Sequence, residues 1–153
     1  MDLILWRHAE AHELDGGMSD LERPLTRRGD KQAARMAAWL DRQLPEGARI
    51  LCSPAVRTEQ TVRALGRKYK VHEELRPGAS PEQLLQLAGW PGAKAPVLIV
   101  GHQPTLGETI SRLLRMAEPE CSVKKGAVWW LRNRERESQQ QTVVVTVQTA
   151  ELL

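Results

Sequence analysis

Pro96-Val97-Leu98-Ile99-Val100-Gly101-His102 is the stretch that decides the fold. A short apolar run rich in β-branched residues, opened by proline and closed by glycine, reads as a strand buried on both faces. Such strands belong to parallel sheets covered by helices on both sides. Two earlier runs look alike, Leu3-Ile4-Leu5-Trp6 and Ile50-Leu51-Cys52. Helical patterns lie between them. Thr26 can cap a helix whose apolar face is Ala33, Met36, Ala37, Leu40 and Leu44, ended by Pro45 and Gly47. The spacing of Val62, Leu65 and Tyr69 predicts a second helix over 57–69, and Val71 to Leu75 reads as a short strand. Ser80-Pro81-Glu82-Gln83 starts a third helix, running to about Trp90: Ser is the cap, Pro the first helical residue, Gln the reciprocal partner.

After His102, Pro104 opens a helix with Leu106, Ile110, Leu113 and Leu114 on one face. The C-terminal part changes character. Ala127 to Leu131 and Thr142 to Gln148 read as two strands joined by the polar segment Arg132 to Gln141, whose Arg132, Arg134 and Arg136 read as a solvated loop. Trp129 and Trp130 point to opposite faces, so at most one is buried. The expectation is an α/β fold: a single domain over residues 1–153, built as a three-layer sandwich. Its central sheet is mostly parallel with an antiparallel edge, and right-handed crossovers connect the strands.

Composition narrows the function classes. The net charge of +3 is too small a surplus to argue for nucleic acid, and no basic stripe carries interleaved aromatics. No apolar stretch approaches the ~20 residues that span a bilayer. No secretory leader is visible, because Arg7 and His8 interrupt the first apolar run. Cys52 and Cys121 match no metal spacing and fit a reducing compartment, so a cytoplasmic location is expected.

Three strand exits carry chemistry. Arg7-His8 follows the first strand, Ser53-Pro54-Ala55-Val56-Arg57 the second, and Gly101-His102 the buried one. In an open parallel sheet these positions share the carboxyl edge, where ligands bind. Arginine offers a planar fork of donors that matches phosphate oxygens. Fixed positive charge opposes a metal cation, and neither histidine has a carboxylate or thiolate at metal spacing. A neutral imidazole is a nucleophile toward phosphorus, so catalysis there would be positioning plus charge stabilisation.

The motifs at these exits resemble the histidine phosphatase superfamily, with its phosphoglycerate-mutase-like fold. Leu5-Trp6-Arg7-His8-Ala9-Glu10 is similar to its Arg-His-Gly signature, and Arg23-Pro24-Leu25-Thr26-Arg27-Arg28-Gly29 to its Pro-Leu-Thr segment. Ser53 to Thr61 resembles its second arginine motif, and Val100-Gly101-His102-Gln103-Pro104 its second histidine motif. Length and the pattern from Arg23 to Gln60 look most like the SixA-type phosphohistidine phosphatases. The resemblance implies His8 as the phosphorylated nucleophile, Arg7 and Arg57 as phosphate ligands, and His102 as a phosphate-contacting donor. Arg23, in a loop facing the same edge, is a fifth candidate, either a phosphate ligand or a salt-bridged loop residue.

The implied function is hydrolysis of phosphohistidine on a protein through a phospho-His8 intermediate. No metal or cofactor is required, the partner is a phosphorylated protein, and neither nucleic acid nor membrane takes part. A monomer is expected. Two departures stand out. Ala9 replaces the usual glycine, which matters if φ there is positive. Leu75-Arg76-Pro77, where larger members carry a Leu-x-Glu acid, offers none, and Glu73, Glu74 and Glu82 do not fit that pattern. A small-molecule phosphomonoesterase and a non-catalytic phosphoprotein-binding module are the alternatives.

Overall fold

Val97–Gly101 lies inside a six-stranded sheet in the computed structural model, which describes residues 1–153. The strands are β1 (Asp2–Arg7), β2 (Arg49–Cys52), β3 (Lys70–Val71), β4 (Val97–Gly101), β5 (Val128–Arg136) and β6 (Gln139–Gln148). The helices are α1 (Arg27–Gln43), α2 (Val56–Arg63), α3 (Pro81–Ala88) and α4 (Thr105–Leu114). The sheet order is β3-β2-β4-β1-β5-β6. β3, β2, β4 and β1 are parallel, and β5 and β6 add an antiparallel edge.

The strand period of two sorts the core into two layers. Leu3, Leu5, Leu51, Val97, Ile99 and Leu131 face α3 and α4, where Leu84, Ala88, Leu106 and Ile110 meet them. Ile4, Trp6, Ile50, Cys52, Leu98, Val100 and Trp130 face the other way, against Met36, Ala37 and Leu40 of α1 and Val62 of α2. The result is the expected three-layer sandwich. Trp130 is buried and Trp129 only partly so, while Trp39 meets Trp130 edge to face with ring centroids 6.3 Å apart. No helix is long and apolar enough to cross a membrane.

Capping follows the sequence. Thr26 Oγ1 accepts from the Gly29 amide at 3.0 Å, and Ser80 and Gln83 close a reciprocal capping box. α3 ends at Ala88 because Gly89 turns left-handed (φ 74°), slightly before the expected end near Trp90.

Three segments differ from expectation. α2 stops at Arg63 rather than reaching Tyr69, and Gly66 turns left-handed (φ 71°). Arg67 then caps α1, donating to the Asp41, Leu44 and Pro45 carbonyls. Leu65 and Tyr69 still reach the core layer, which is why their spacing looked helical. Val71 to Leu75 is not one strand: only Lys70–Val71 pairs with β2, and Glu73–Leu75 forms a 3-10 turn. The segment 132–141 is not a loop. β5 and β6 stay paired to Arg136↔Gln139, turning at Glu137 and Ser138, both with positive φ.

Candidate active site

The parallel register builds the site. Trp6 and Cys52 both pair with Val100, and Arg7 with Gly101. β1, β2 and β4 therefore end at one level, and His8, Ser53 and His102 leave the sheet side by side. Two backbone bonds extend the ladder past the last pair, His8 N to Gly101 O and Ser53 N to Val100 O, each 3.1 Å. Arg57 sits in the first turn of α2, directly after β2. Gly29, in the first turn of α1, packs against the Glu10 carbonyl so closely that a Cβ would stand 2.0 Å from its oxygen. That contact holds the segment leaving His8.

His8 and His102 face each other with ring centroids 5.3 Å apart and planes tilted by 56°. His8 Nδ1 lies 2.7 Å from the Ala9 carbonyl oxygen. A carbonyl only accepts, so Nδ1 carries the hydrogen and Nε2 keeps its lone pair. Burial pushes the His8 pKa from 6.5 down to about 3; Ala9's carbonyl opposes this, and Arg57, Arg7 and Arg23 push it further down. His102 is likewise pushed to about 3, chiefly by burial, then by His8 and Arg57. Both rings are neutral at pH 7. Ala9 has negative φ, so the methyl in place of glycine carries no backbone strain. Its amide donates to Thr61 Oγ1 at 3.1 Å.

Arg57 is only 3 % exposed. Its Nη1 donates to the Asp20 carbonyl at 2.7 Å and its Nη2 to Asp20 Oδ2 at 3.0 Å. Arg23 donates through Nε to Asp20 Oδ1 at 3.0 Å and through Nη1 to the His12 carbonyl at 2.7 Å. Arg7 Nη1 donates to the Val123 carbonyl at 2.7 Å. The Nε atoms of Arg7 and Arg57 are buried without a partner in the chain. Arg7, His8, Arg23, Arg57 and His102 line one cleft of about 270 Å³ with Glu13, Pro77, Gln103 and Lys125. All five sequence-predicted site residues thus come together, and Arg23 is both cleft-lining and salt-bridged.

Asp20 was missed by sequence reasoning. It opens a 3-10 turn, Asp20–Glu22, inside a polar segment, and nothing local says that its carboxylate clamps two arginines. The motif around Ser53 does not name its partner: its Oγ lies 2.7 Å from His102 Nε2. Two of the acids near Leu75 are engaged elsewhere, Glu73 with Arg76 and Glu82 with Arg112, and Glu74 is exposed. No group of three or more His, Cys, Asp or Glu side chains is placed to hold a metal ion. Burial pushes the Cys52 thiol up to about 12, so it is an inert core residue. The cleft can hold a tetrahedral oxyanion among guanidinium donors and set an unprotonated imidazole nitrogen beside its central atom.

The model of the histidine phosphatase superfamily (branch 1) matches residues 3–79. The phosphohistidine phosphatase SixA of Escherichia coli is 34 % identical over 122 residues, which cover 74 % of each chain. An uncharacterized protein of Mycobacterium tuberculosis is 35 % identical over 101 residues, 65 % of this chain, and the match spans 63 % of that relative's length. A solved structure of the protein histidine phosphatase SixA complexed with tungstate superimposes with a TM-score of 0.76 at 28 % identity, covering 99 % of both chains.

Proposed function

Because the chain belongs to the histidine phosphatase superfamily, we propose that it is a phosphatase that removes the phosphoryl group from phosphohistidine on a protein, using His8 as the nucleophile. The observation that carries this reading is the Ala9 carbonyl on His8 Nδ1, which leaves Nε2 unprotonated, with its lone pair free, in a cleft lined by three arginines. Nε2 attacks phosphorus, and the bond to the substrate imidazole breaks in line. Arg7, Arg57 and Arg23 hold the non-bridging oxygens, and His102 donates to them. Water then attacks phospho-His8, releasing inorganic phosphate and restoring the free imidazole. Charge stabilisation by preplaced donors supplies most of the acceleration. Tungstate, the oxyanion in the related SixA structure, is a tetrahedral mimic of phosphate and supports an oxyanion in this cleft.

The substrate class follows from the acid–base inventory. An alkoxide leaving group gains roughly 10²–10⁴ in rate from a general acid. An imidazole whose second nitrogen is protonated by solvent departs without that help. Asp20 is bound to Arg57 and Arg23 and so is already committed. Glu13, which lines the cleft, is the one feature that favours the second reading, a small phosphomonoesterase. The binding-module reading rests on Ala9 and on the missing acid, and an unstrained Ala9 removes the first of these two supports.

A panel of phosphohistidine proteins and small phosphomonoesters tests the proposal, run with and without excess EDTA. Turnover of phosphohistidine protein that is indifferent to EDTA is expected. Faster turnover of an alkyl phosphate, lost in Glu13→Gln, would transfer the assignment to the second reading. Loss of activity in EDTA, restored by a divalent ion, would contradict the metal-independent mechanism.

A further inference from the structure

We propose that Ser53 is a positioning residue that fixes the tautomer of His102, so that His102 presents Nδ1–H to a bound phosphoryl group. This rests on the reading of the cleft as a phosphoryl site.

Ser53 is fully buried and its backbone is fixed on both sides. Its amide donates to Val100 O, and its carbonyl accepts from Thr58 Oγ1 at 2.9 Å. Its Oγ accepts a long contact, 3.5 Å, from the Ala55 amide. The hydroxyl hydrogen then has one acceptor within reach, His102 Nε2 at 2.7 Å. A buried hydroxyl left without an acceptor is destabilising, so the hydrogen goes to Nε2. A neutral imidazole has a single N–H, and with Nε2 accepting, that hydrogen is on Nδ1. His102 is neutral across the working pH range, because burial, His8, Arg57 and Arg7 all disfavour its cation and only Asp20 opposes them.

On the cleft side His102 Nδ1 lies 3.4 Å from Arg57 Nη2, a long hydrogen bond in which only the guanidinium can donate and which by itself favours a bare Nδ1. Arg57 Nη2 also donates to Asp20 Oδ2 at 3.0 Å. A phosphoryl oxygen between the two groups takes the guanidinium hydrogen instead, which removes that preference and leaves the Ser53 bond to set the tautomer, with Nδ1–H donating to the same oxygen. The opposite tautomer would turn a lone pair toward the anion and strand the Ser53 hydrogen in the interior.

Long-range ¹H–¹⁵N spectra of histidine-labelled protein, with inorganic phosphate as the ligand, read the tautomer directly. In the wild type, His102 should show a protonated Nδ1 and a bare Nε2. Ser53→Ala should move hydrogen to Nε2 and weaken phosphate binding about tenfold, the loss of one hydrogen bond. Ser53→Thr keeps the hydroxyl and should restore the wild-type tautomer. A wild-type His102 with Nε2 protonated in the phosphate complex overturns the proposal, as does a Ser53→Ala protein with unchanged tautomer and affinity. The wild-type spectrum decides even if a variant fails to fold. Absence of phosphohistidine turnover with the tautomer as described would sink the functional reading and leave this one standing.

Discussion

Arg57 in the cleft and Arg132 on the β5–β6 hairpin both grip one aspartate, and they do opposite things. Arg132 donates through Nε and Nη2 to both oxygens of Asp2, at 2.7 and 2.9 Å, and its side chain is 48 % exposed. That fork is matched at both carboxylate oxygens and its arginine is half exposed, so the pair adds about 1 kcal/mol at most. Arg57 is buried, keeps an unpartnered Nε, and stands beside two neutral imidazoles. Counting arginines cannot separate the two regions. The distinction lies in burial and in donors that the chain itself leaves unfilled.

The largest expected effect is in the cleft. Arg57→Ala should lower kcat/KM for a phosphohistidine protein by about 10²–10³, the usual cost of one preplaced oxyanion donor. Arg57→Lys should recover only part of it, since an ammonium lacks the planar fork. A loss under tenfold for Arg57→Ala, measured by steady-state phosphate release, would break the contrast with the hairpin.

An intermediate effect is expected from pH. His8 and His102 ionise near 3 in the folded chain and near 6.5 when unfolded. The unfolded chain therefore takes up protons first as pH falls. Stability from these rings is complete above 6.5 and declines steadily toward 3. Carboxylates titrate lower, so the window from pH 6.5 to 5 isolates the histidines. Urea midpoints should fall across that window in the wild type and fall less in His8→Ala. Equal slopes in both would argue that His8 is not held neutral by burial.

The smallest effect belongs to the hairpin. Replacing Arg132, Arg134 and Arg136 together with Ala should change kcat/KM by less than about twofold and stability by about 1 kcal/mol. A large activity loss there would mean that the hairpin contacts the substrate protein.

Much of the architecture was legible because it follows from local periodicity. Leu98 and Ile99 are both wholly buried although they face opposite layers, and that is what a continuous apolar run between Pro96 and Gly101 encodes. The shared level of His8, Ser53 and His102 was also foreseeable, since parallel strands of similar length expose their exits on one edge. What stayed hidden depends on distant partners or on unmarked turns. The Asp20 clamp forms with Arg57, 37 residues away, and the Ser53 contact with His102, 49 residues away. Glu137-Ser138 turns the hairpin without the Asn-Gly that usually marks such a turn, so the polar strands around it read as loop. The early end of α2 was masked because Leu65 and Tyr69 reach the core from a turn.

The most direct measurement of the central claim is incubation with a labile phosphodonor followed by acid and base treatment of the protein. The account predicts an acid-labile, base-stable phosphoprotein, one phosphoryl group per chain, that His8→Ala abolishes and His12→Ala leaves intact. Phosphate incorporation that survives His8→Ala, or rapid turnover with no phosphorylated protein at any time, would contradict it.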